Sequence, residues 1–264
     1  MPDELDAARF ERRRDEHGLT LGKPFHHVVE TGSTNDDALA AARSGAPHGA
    51  TFVADAQSAG RGRRGRHWFA TPGESLLCSV VLREKLGLER AALLALVAGL
   101  AVRSAIASAC SSAGQAERVR VKWPNDVFID ERKVAGVLCE SHVQGPALVA
   151  TVVGFGVNVS GRAFPDELHA TATSLALASV HTTREDLLLD VLRGLERRVA
   201  TLVSDGVVAL VAELAEHDAL FGRRVRIDGV EGAAAGFDGA GRLLLRSSQD
   251  EMLPFSAGTV EVVR

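Results

Sequence analysis

Residues 57 to 69 read QSAGRGRRGRHWF, with four arginines (Arg61, Arg63, Arg64 and Arg66) set among three glycines (Gly60, Gly62 and Gly65). Glycine lets backbone N–H groups approach an anion closely, and guanidinium groups bind phosphate oxygens in pairs while staying charged away from water. The loop therefore suits a ligand that carries phosphate, and it is expected to be mobile when empty and ordered over a bound anion. The same letters satisfy G-x-G-x-x-G, but a dinucleotide-binding turn needs a helix opening at the third glycine. Here His67, Trp68 and Phe69 lead into Pro72-Gly73 and the strand-like LLCSVVL, so that reading fails; no Gly-Lys-Ser/Thr follows to make a P-loop. A solvated basic loop is the plain alternative on these residues alone.

Four further groups extend the chemistry. GSTNDDA at 32 to 38 brings Ser33, Thr34 and Asn35 together with helix N-terminal N–H groups, a set suited to the polar head of a small molecule; ordinary helix capping explains the same residues. VKWPNDVFIDERKVAGV at 121 to 137 puts Lys122 at a strand end and Lys133 after a short hairpin, so two ammonium groups can face one site. A carboxylate that is to be linked to a phosphate needs such cations against both repulsion and developing charge. Asp126 is open between orienting a lysine, helping to hold a metal and capping the turn. VGFGVNVS at 153 to 160 ends an apolar strand with two glycines and Asn158, which allows a ring to approach closely and offers a paired donor and acceptor; a bulge with a structural Asn fits equally. Trp68 and Phe69 can stack on a base or pack the foot of the loop.

The elements that must hold these residues follow from periodicity. Strands are expected at about 26–29, 51–54, 76–82, 118–123, 127–129, 134–141 and 148–159, with a tight turn at 130–132. Helices are expected at about 35–43, capped by Ser33 or Thr34, at 90–110, and in two segments from Thr183 to about Leu220. Adjacent strands with few helices predict an α+β fold around a mixed sheet. Beyond Phe221, short strands between Gly-rich turns predict a small barrel, which puts a boundary near residue 219. The expected division is a polar extension at 1–25, a catalytic unit at 26–219 and a C-terminal unit at 220–264.

Composition sets the limits. The chain has 264 residues, 46% hydrophobic and 24% charged, with a formal net charge of −4, which argues against a general nucleic-acid binder and makes the arginine loop a local device. Cys78, Cys110 and Cys139 are odd in number and sit in apolar runs, so they read as core residues in a reducing cytoplasm. The polar N-terminus lacks the apolar run of a signal peptide, and the apolar stretch near 90–110 is interrupted by Arg103, which reads as a buried helix and not a membrane span.

Taken together, TGSTN, QSAGRGRRGRHW, KWPND, RKVAG and GFGVNV, in this order and spacing across about residues 26 to 264, resemble the biotin protein ligases. The resemblance implies a catalytic domain related to class II aminoacyl-tRNA synthetases and lipoate ligases, followed by an SH3-like barrel. It implies that biotin and ATP with Mg²⁺ give biotinyl-5′-AMP, and that a lysine of a biotin carboxyl carrier domain, of acetyl-CoA carboxylase or a related carboxylase, then attacks the anhydride. By the same resemblance Ser33, Thr34, Asn35 and Gln57 match contacts to the biotin head, and Arg61, Gly62 and Arg63 the loop over biotin and phosphate. Lys133 matches the lysine at the carboxylate and adenylate; Lys122, Trp68, Gly136 and Asn158 match the nucleotide side, with Gly136 counted among the biotin contacts as well. Gly60, Arg64 and Arg66 complete the nucleotide set, and Lys133, Lys122 and Arg63 are the candidates for catalysis. Many members carry an N-terminal winged helix of sixty or more residues, and only about 25 precede the first core strand here, so no DNA-binding role is expected. A monomer or homodimer is expected. A lipoate or octanoate ligase, a DNA-binding regulator and a non-catalytic binding module are the competing readings.

Overall fold

The computed structural model describes residues 5 to 84 and 86 to 263. In chain order it contains α1 (Ala7–Glu16), β1 (Phe25–Thr31), α2 (Thr34–Arg43), β2 (Thr51–Gln57), a 3-10 turn at Arg63–Gly65, β3 (Ser75–Leu82), α3 (Leu88–Ala91), α4 (Leu94–Ser108) and α5 (Ala113–Glu117). Then come β4 (Val119–Lys122), β5 (Asp126–Ile129), β6 (Arg132–Gln144), β7 (Ala147–Asn158), α6 (Asp166–His169), α7 (Arg184–Ser204) and α8 (Val208–Glu216), and finally β8 (Arg224–Ile227), β9 (Val230–Phe237), β10 (Leu243–Arg246), β11 (Met252–Phe255) and β12 (Val260–Val262).

The first seven strands form one sheet in the order β1-β2-β3-β7-β6-β5-β4, parallel only between β1 and β2. The last five form a second, antiparallel sheet in the order β11-β10-β9-β8-β12. The expected mixed sheet with helices is therefore present, and the C-terminal short strands are a five-stranded sheet.

The apolar stretch near 90–110 divides into α3 and α4, because Ala92 and Leu93 make a turn between them. α4 is apolar nearly all round because it faces two cores. Val97, Ala101 and Ile106 belong to the main core under the seven-stranded sheet, with Leu188 and Leu192 of α7. Leu96 and Leu100 belong to a second core with Val121, Trp123, Leu220, Val225, Ile227 and Leu245. Burying each such side chain stabilises by roughly 1.5–3 kcal/mol, so the second core ties the two sheets firmly. The backbone adds to this, since Val121 N donates to His217 O at 2.8 Å and Ala219 N to Val121 O at 2.9 Å.

The polar N-terminus holds a helix. Asp6 caps α1 by accepting from Arg9 N at 2.8 Å, and Phe10 is buried against the main core. Arg14 is also buried and donates to Gly22 O at 2.5 Å. Cys78 is buried, while Cys110 and Cys139 are partly so.

Candidate active site

Strand register places the site. Lys122, Asp126, Gly136, Gly156 and Leu77 are successive partners across β4, β5, β6, β7 and β3, and Leu138, Gly154 and Ser79 form the next row on the same face. All eight line one cavity of 370 Å³. Its floor is glycine for a steric reason. A Cβ on Gly154 would lie 1.8 Å from Asn35 Oδ1, and one on Gly156 would lie 2.5 Å from Trp68 Cε2. A Cβ on Gly136 would lie 3.1 Å from Trp68 Cζ3. The glycines thus let Asn35 and the Trp68 indole lie flat on the sheet.

On the β3 side the polar groups satisfy one another. Gln57 Oε1 accepts from Thr34 N at 2.7 Å and from Thr34 Oγ1 at 3.0 Å. Ser79 Oγ lies 2.8 Å from Thr34 Oγ1 and 2.6 Å from Asn35 Oδ1. Asn35 Nδ2 donates to Glu140 Oε2 at 2.8 Å, and the same oxygen accepts from Arg61 at 2.7 Å. Arg61 also reaches Asp36 Oδ1 at 2.6 Å. Ser33, Thr34 and Asn35 are buried. Ser33 is the N-cap of α2 by backbone conformation, yet its side chain makes no capping bond.

Toward β4 the groups are cationic. Lys133 Nζ is 2.6 Å from Asp126 Oδ1, close enough for an ion pair but without hydrogen-bond alignment, so that oxygen has no hydrogen-bond donor. The same ammonium is 5.4 Å from the Trp68 ring centroid. Lys122 Nζ lies 5.1 Å from the Phe128 centroid. Burial lowers the Lys122 pKa, Asp126 opposes that shift, and Lys133 adds to it. Arg63 donates to Asn125 Oδ1 at 3.0 Å; burial and then Arg64 lower its pKa. Asn125 is itself fixed by Nδ2 donating to Val137 O at 2.7 Å.

The arginine loop lies closed on itself. Gly62 N donates to Arg66 O at 2.7 Å, and Trp68 N to Gly60 O at 3.0 Å. Ser33, Thr34, Asn35, Gln57, Arg61, Gly62, Arg63, Arg64, Arg66, Trp68, Lys122, Lys133, Gly136 and Asn158 all line the cavity. Gly60 does not; a Cβ there would lie 2.9 Å from Trp68 O, so it is needed for close packing of the loop foot. Asn158 turns its amide into the protein, donating from Nδ2 to Thr173 O at 2.9 Å. Phe69 stands 43% exposed at the rim.

Sequence reading missed Ser79 and Glu140. Each is a polar residue inside an apolar strand, LLCSVVL and VLCES, which is the available signal. It also missed the walls supplied by Phe164, Leu168, Thr171 and Ala172 and by Gly258, Thr259 and Val260. These segments bear no motif and reach the cavity only through tertiary packing. Among the described residues no group of three or more His, Cys, Asp or Glu forms a metal cage, and Asp126 is the one carboxylate in the lining.

A site that combines a satisfied polar network, a flat aromatic and a cluster of cations can hold a neutral polar head at one end and an anion at the other. Comparison with known proteins gives a family match over residues 31 to 158 to the biotin/lipoate A/B protein ligase family. The biotin–acetyl-CoA-carboxylase ligase of Mycobacterium tuberculosis is 37% identical over 226 residues, 83% of this chain and 81% of that protein. Biotin protein ligase from Aquifex aeolicus, solved in complex with biotin and ATP, superposes with a TM-score of 0.77 at 26% identity, covering 91% of this chain and 99% of that one. The Leishmania major enzyme, solved with biotinyl-5-AMP, gives 0.60 at 25% identity over 88% and 98%. Aligned at 37% identity over four fifths of one ligase's length, and matching the fold of another over nearly all of it, the chain belongs to the biotin protein ligases of the biotin/lipoate A/B protein ligase family.

Proposed function

We propose that the chain activates biotin as biotinyl-5′-AMP and passes it to a lysine of a biotin carboxyl carrier domain of acetyl-CoA carboxylase or a related carboxylase. The observation that carries this reading is the single cavity in which an uncharged polar network (Thr34, Asn35, Gln57, Ser79) and the cations Arg63, Lys122 and Lys133 share a glycine floor beneath Trp68. The ureido head of biotin, with two N–H donors and a carbonyl, suits the first; its carboxylate and the ATP phosphates suit the second.

In the first step a biotin carboxylate oxygen attacks the α-phosphorus, the bond to the β-phosphate breaks, and pyrophosphate leaves with the electron pair. Two anions must meet, and Arg63, Lys122 and Lys133 offset that repulsion most strongly where charge builds up. Mg²⁺, entering as part of MgATP, would add positive charge at the phosphates, and Asp126, the one carboxylate among the described lining residues, would be the side chain available to help hold it. In the second step a neutral lysine amine attacks the acyl carbon, the acyl C–O bond to the phosphate breaks, AMP leaves with the electron pair, and the new amide nitrogen gives up one proton to water. The acceptor amine, with an ordinary pKa of about 10.4, sheds its proton more readily beside the cationic lysines. The division near residue 219, with the C-terminal sheet serving as an SH3-like unit, belongs to the same proposal.

The test is to incubate the protein with biotin, MgATP and an isolated carrier domain and to follow the carrier's mass. A gain of one biotinyl group, lost when the acceptor lysine is replaced by arginine, is expected. A carrier modified by lipoate in preference to biotin, or left unmodified, contradicts the reading.

A further inference from the structure

Arg63 and Arg64 are adjacent, yet they serve different sheets. Arg63 reaches Asn125 beside the seven-stranded sheet. Arg64 has φ +56° and Gly65 φ +73°, and this left-handed pair turns the chain so that the second guanidinium leaves toward the C-terminal sheet. There Arg64 Nη1 donates to Asp228 Oδ1 at 3.0 Å and to Thr259 Oγ1 at 2.7 Å, and Nη2 donates to Asp228 Oδ2 at 2.9 Å. The acceptor is set in place independently of Arg64, because Asp228 Oδ1 also accepts from Thr259 N at 3.0 Å.

Asp228 occupies the turn between β8 and β9, and Thr259 directly precedes β12. Gly258 holds these two turns together: a Cβ there would lie 2.5 Å from Ile227 Cγ2. Gly258, Thr259 and Val260 also line the cavity, so the second sheet forms part of its wall. Bonding to Arg64 and Thr259 pulls the Asp228 pKa down to about 2, which keeps the carboxylate charged at any working pH.

From this geometry we infer that Asp228 and Thr259 are positioning residues that latch the arginine loop over the cavity through Arg64 and so slow escape of the acyl adenylate. The inference rests on the ligase reading given above. Arg64, grouped by sequence with the nucleotide contacts, then acts by holding Arg63 and Trp68 in place. The latch is built to open: the side chains of Arg64 and Asp228 are 51% and 44% exposed, so water and salt compete for both partners. A buried pair would close the loop permanently.

The experiment loads the full-length protein with biotinyl-5′-AMP formed in place and measures its dissociation at low and moderate ionic strength. Asp228→Ala is expected to release the adenylate about two- to fivefold faster than wild type, the range for loss of an exposed charge pair. The rate of adenylate formation at saturating ATP should change by less than about twofold, while thermal stability falls modestly, because Asp228 has φ +46° and accepts from Thr259 N. Asp228→Asn, which retains an acceptor for Thr259 N, should fall between the two, and the salt dependence of release should flatten in both. Thr259→Val provides the same test through one lost hydrogen bond if the Asp228 turn tolerates no change. A wild-type protein that retains the adenylate, beside Asp228→Ala and Thr259→Val proteins that retain it equally at both salt concentrations, overturns the latch. A wild-type protein that forms no adenylate overturns the ligase reading, and the latch with it.

Discussion

Charge is buried in opposite ways in two regions of this molecule. Between β1, β2 and α7 the charges are matched: Arg184 donates to Asp55 Oδ1 at 2.6 Å, and His27 Nε2 lies 3.1 Å from Asp55 Oδ2. In the cavity like charges are gathered, with Arg63, Lys122 and Lys133 around Asp126 alone, and burial lowers the pKa of both Arg63 and Lys122. The first arrangement completes itself within the fold. On the proposed reading the second is completed by an anionic ligand, which is where binding energy would be directed to chemistry.

The largest effect should come from breaking the matched region. Arg184 is 2% exposed, and Arg184→Ala leaves Asp55 buried without its guanidinium. A loss of about 3–5 kcal/mol in stability is expected, read by urea unfolding, with activity per folded molecule nearly unchanged. Lys133→Ala should do the reverse. Removal of one charge-assisted contact, about 1.5–3 kcal/mol and more as charge develops, should slow adenylation about tenfold to a few hundredfold while the unfolding midpoint holds.

Asp218 falls between the two. Its Oδ1 accepts from Leu220 N at 2.8 Å, its Oδ2 has no partner, and burial raises its pKa to about 6. Because the folded value lies above the unfolded one of about 3.9, its favourable contribution is full below pH 4 and is lost as pH rises through 6. Asp218→Asn should therefore be the more stable protein at pH 7.5, by on the order of 2 kcal/mol, and lose that advantage near pH 4. An equal stability difference at both pH values would show that Asp218 titrates normally.

The smallest effect concerns Lys122. Its lowered pKa means that the fold disfavours its charge, so Lys122→Met should be neutral or up to about 1 kcal/mol more stable at pH 7. Adenylation should nevertheless slow. A Lys122→Met protein that is both less stable and fully active would reverse the contrast between the regions.

Much of the site was legible because the chemistry dictates residue types. Phosphate calls for arginines among glycines, and close approach of a ring calls for glycine in a strand, so Arg61 to Trp68, Gly154 and Gly156 could be read from their letters, whereas Gly136 came only with the resemblance to the ligase family. Ser79 and Glu140 could not, since their use depends on which strand lies beside Asn35, and that follows from the order β3-β7-β6. Asp126 was left open between three roles; the structure sets it beside Lys133. Periodicity located the main strands and helices, yet it merged α3 with α4 and overlooked α1, whose single buried Phe10 and capping Asp6 leave a weak apolar pattern. The C-terminal strands were visible as short runs, whereas their place in the cavity wall depends on the core shared by Leu96, Trp123 and Val225.

The most direct measurement is isotope exchange between pyrophosphate and ATP, run with the wild-type protein and with Lys133→Ala, in the presence and absence of biotin. The predicted result is exchange by wild type that requires biotin, is not supported by lipoate, and falls by tenfold or more in the variant. Exchange that proceeds without biotin, or that Lys133→Ala supports at the wild-type rate, would contradict the assignment of the cationic cluster to carboxylate activation.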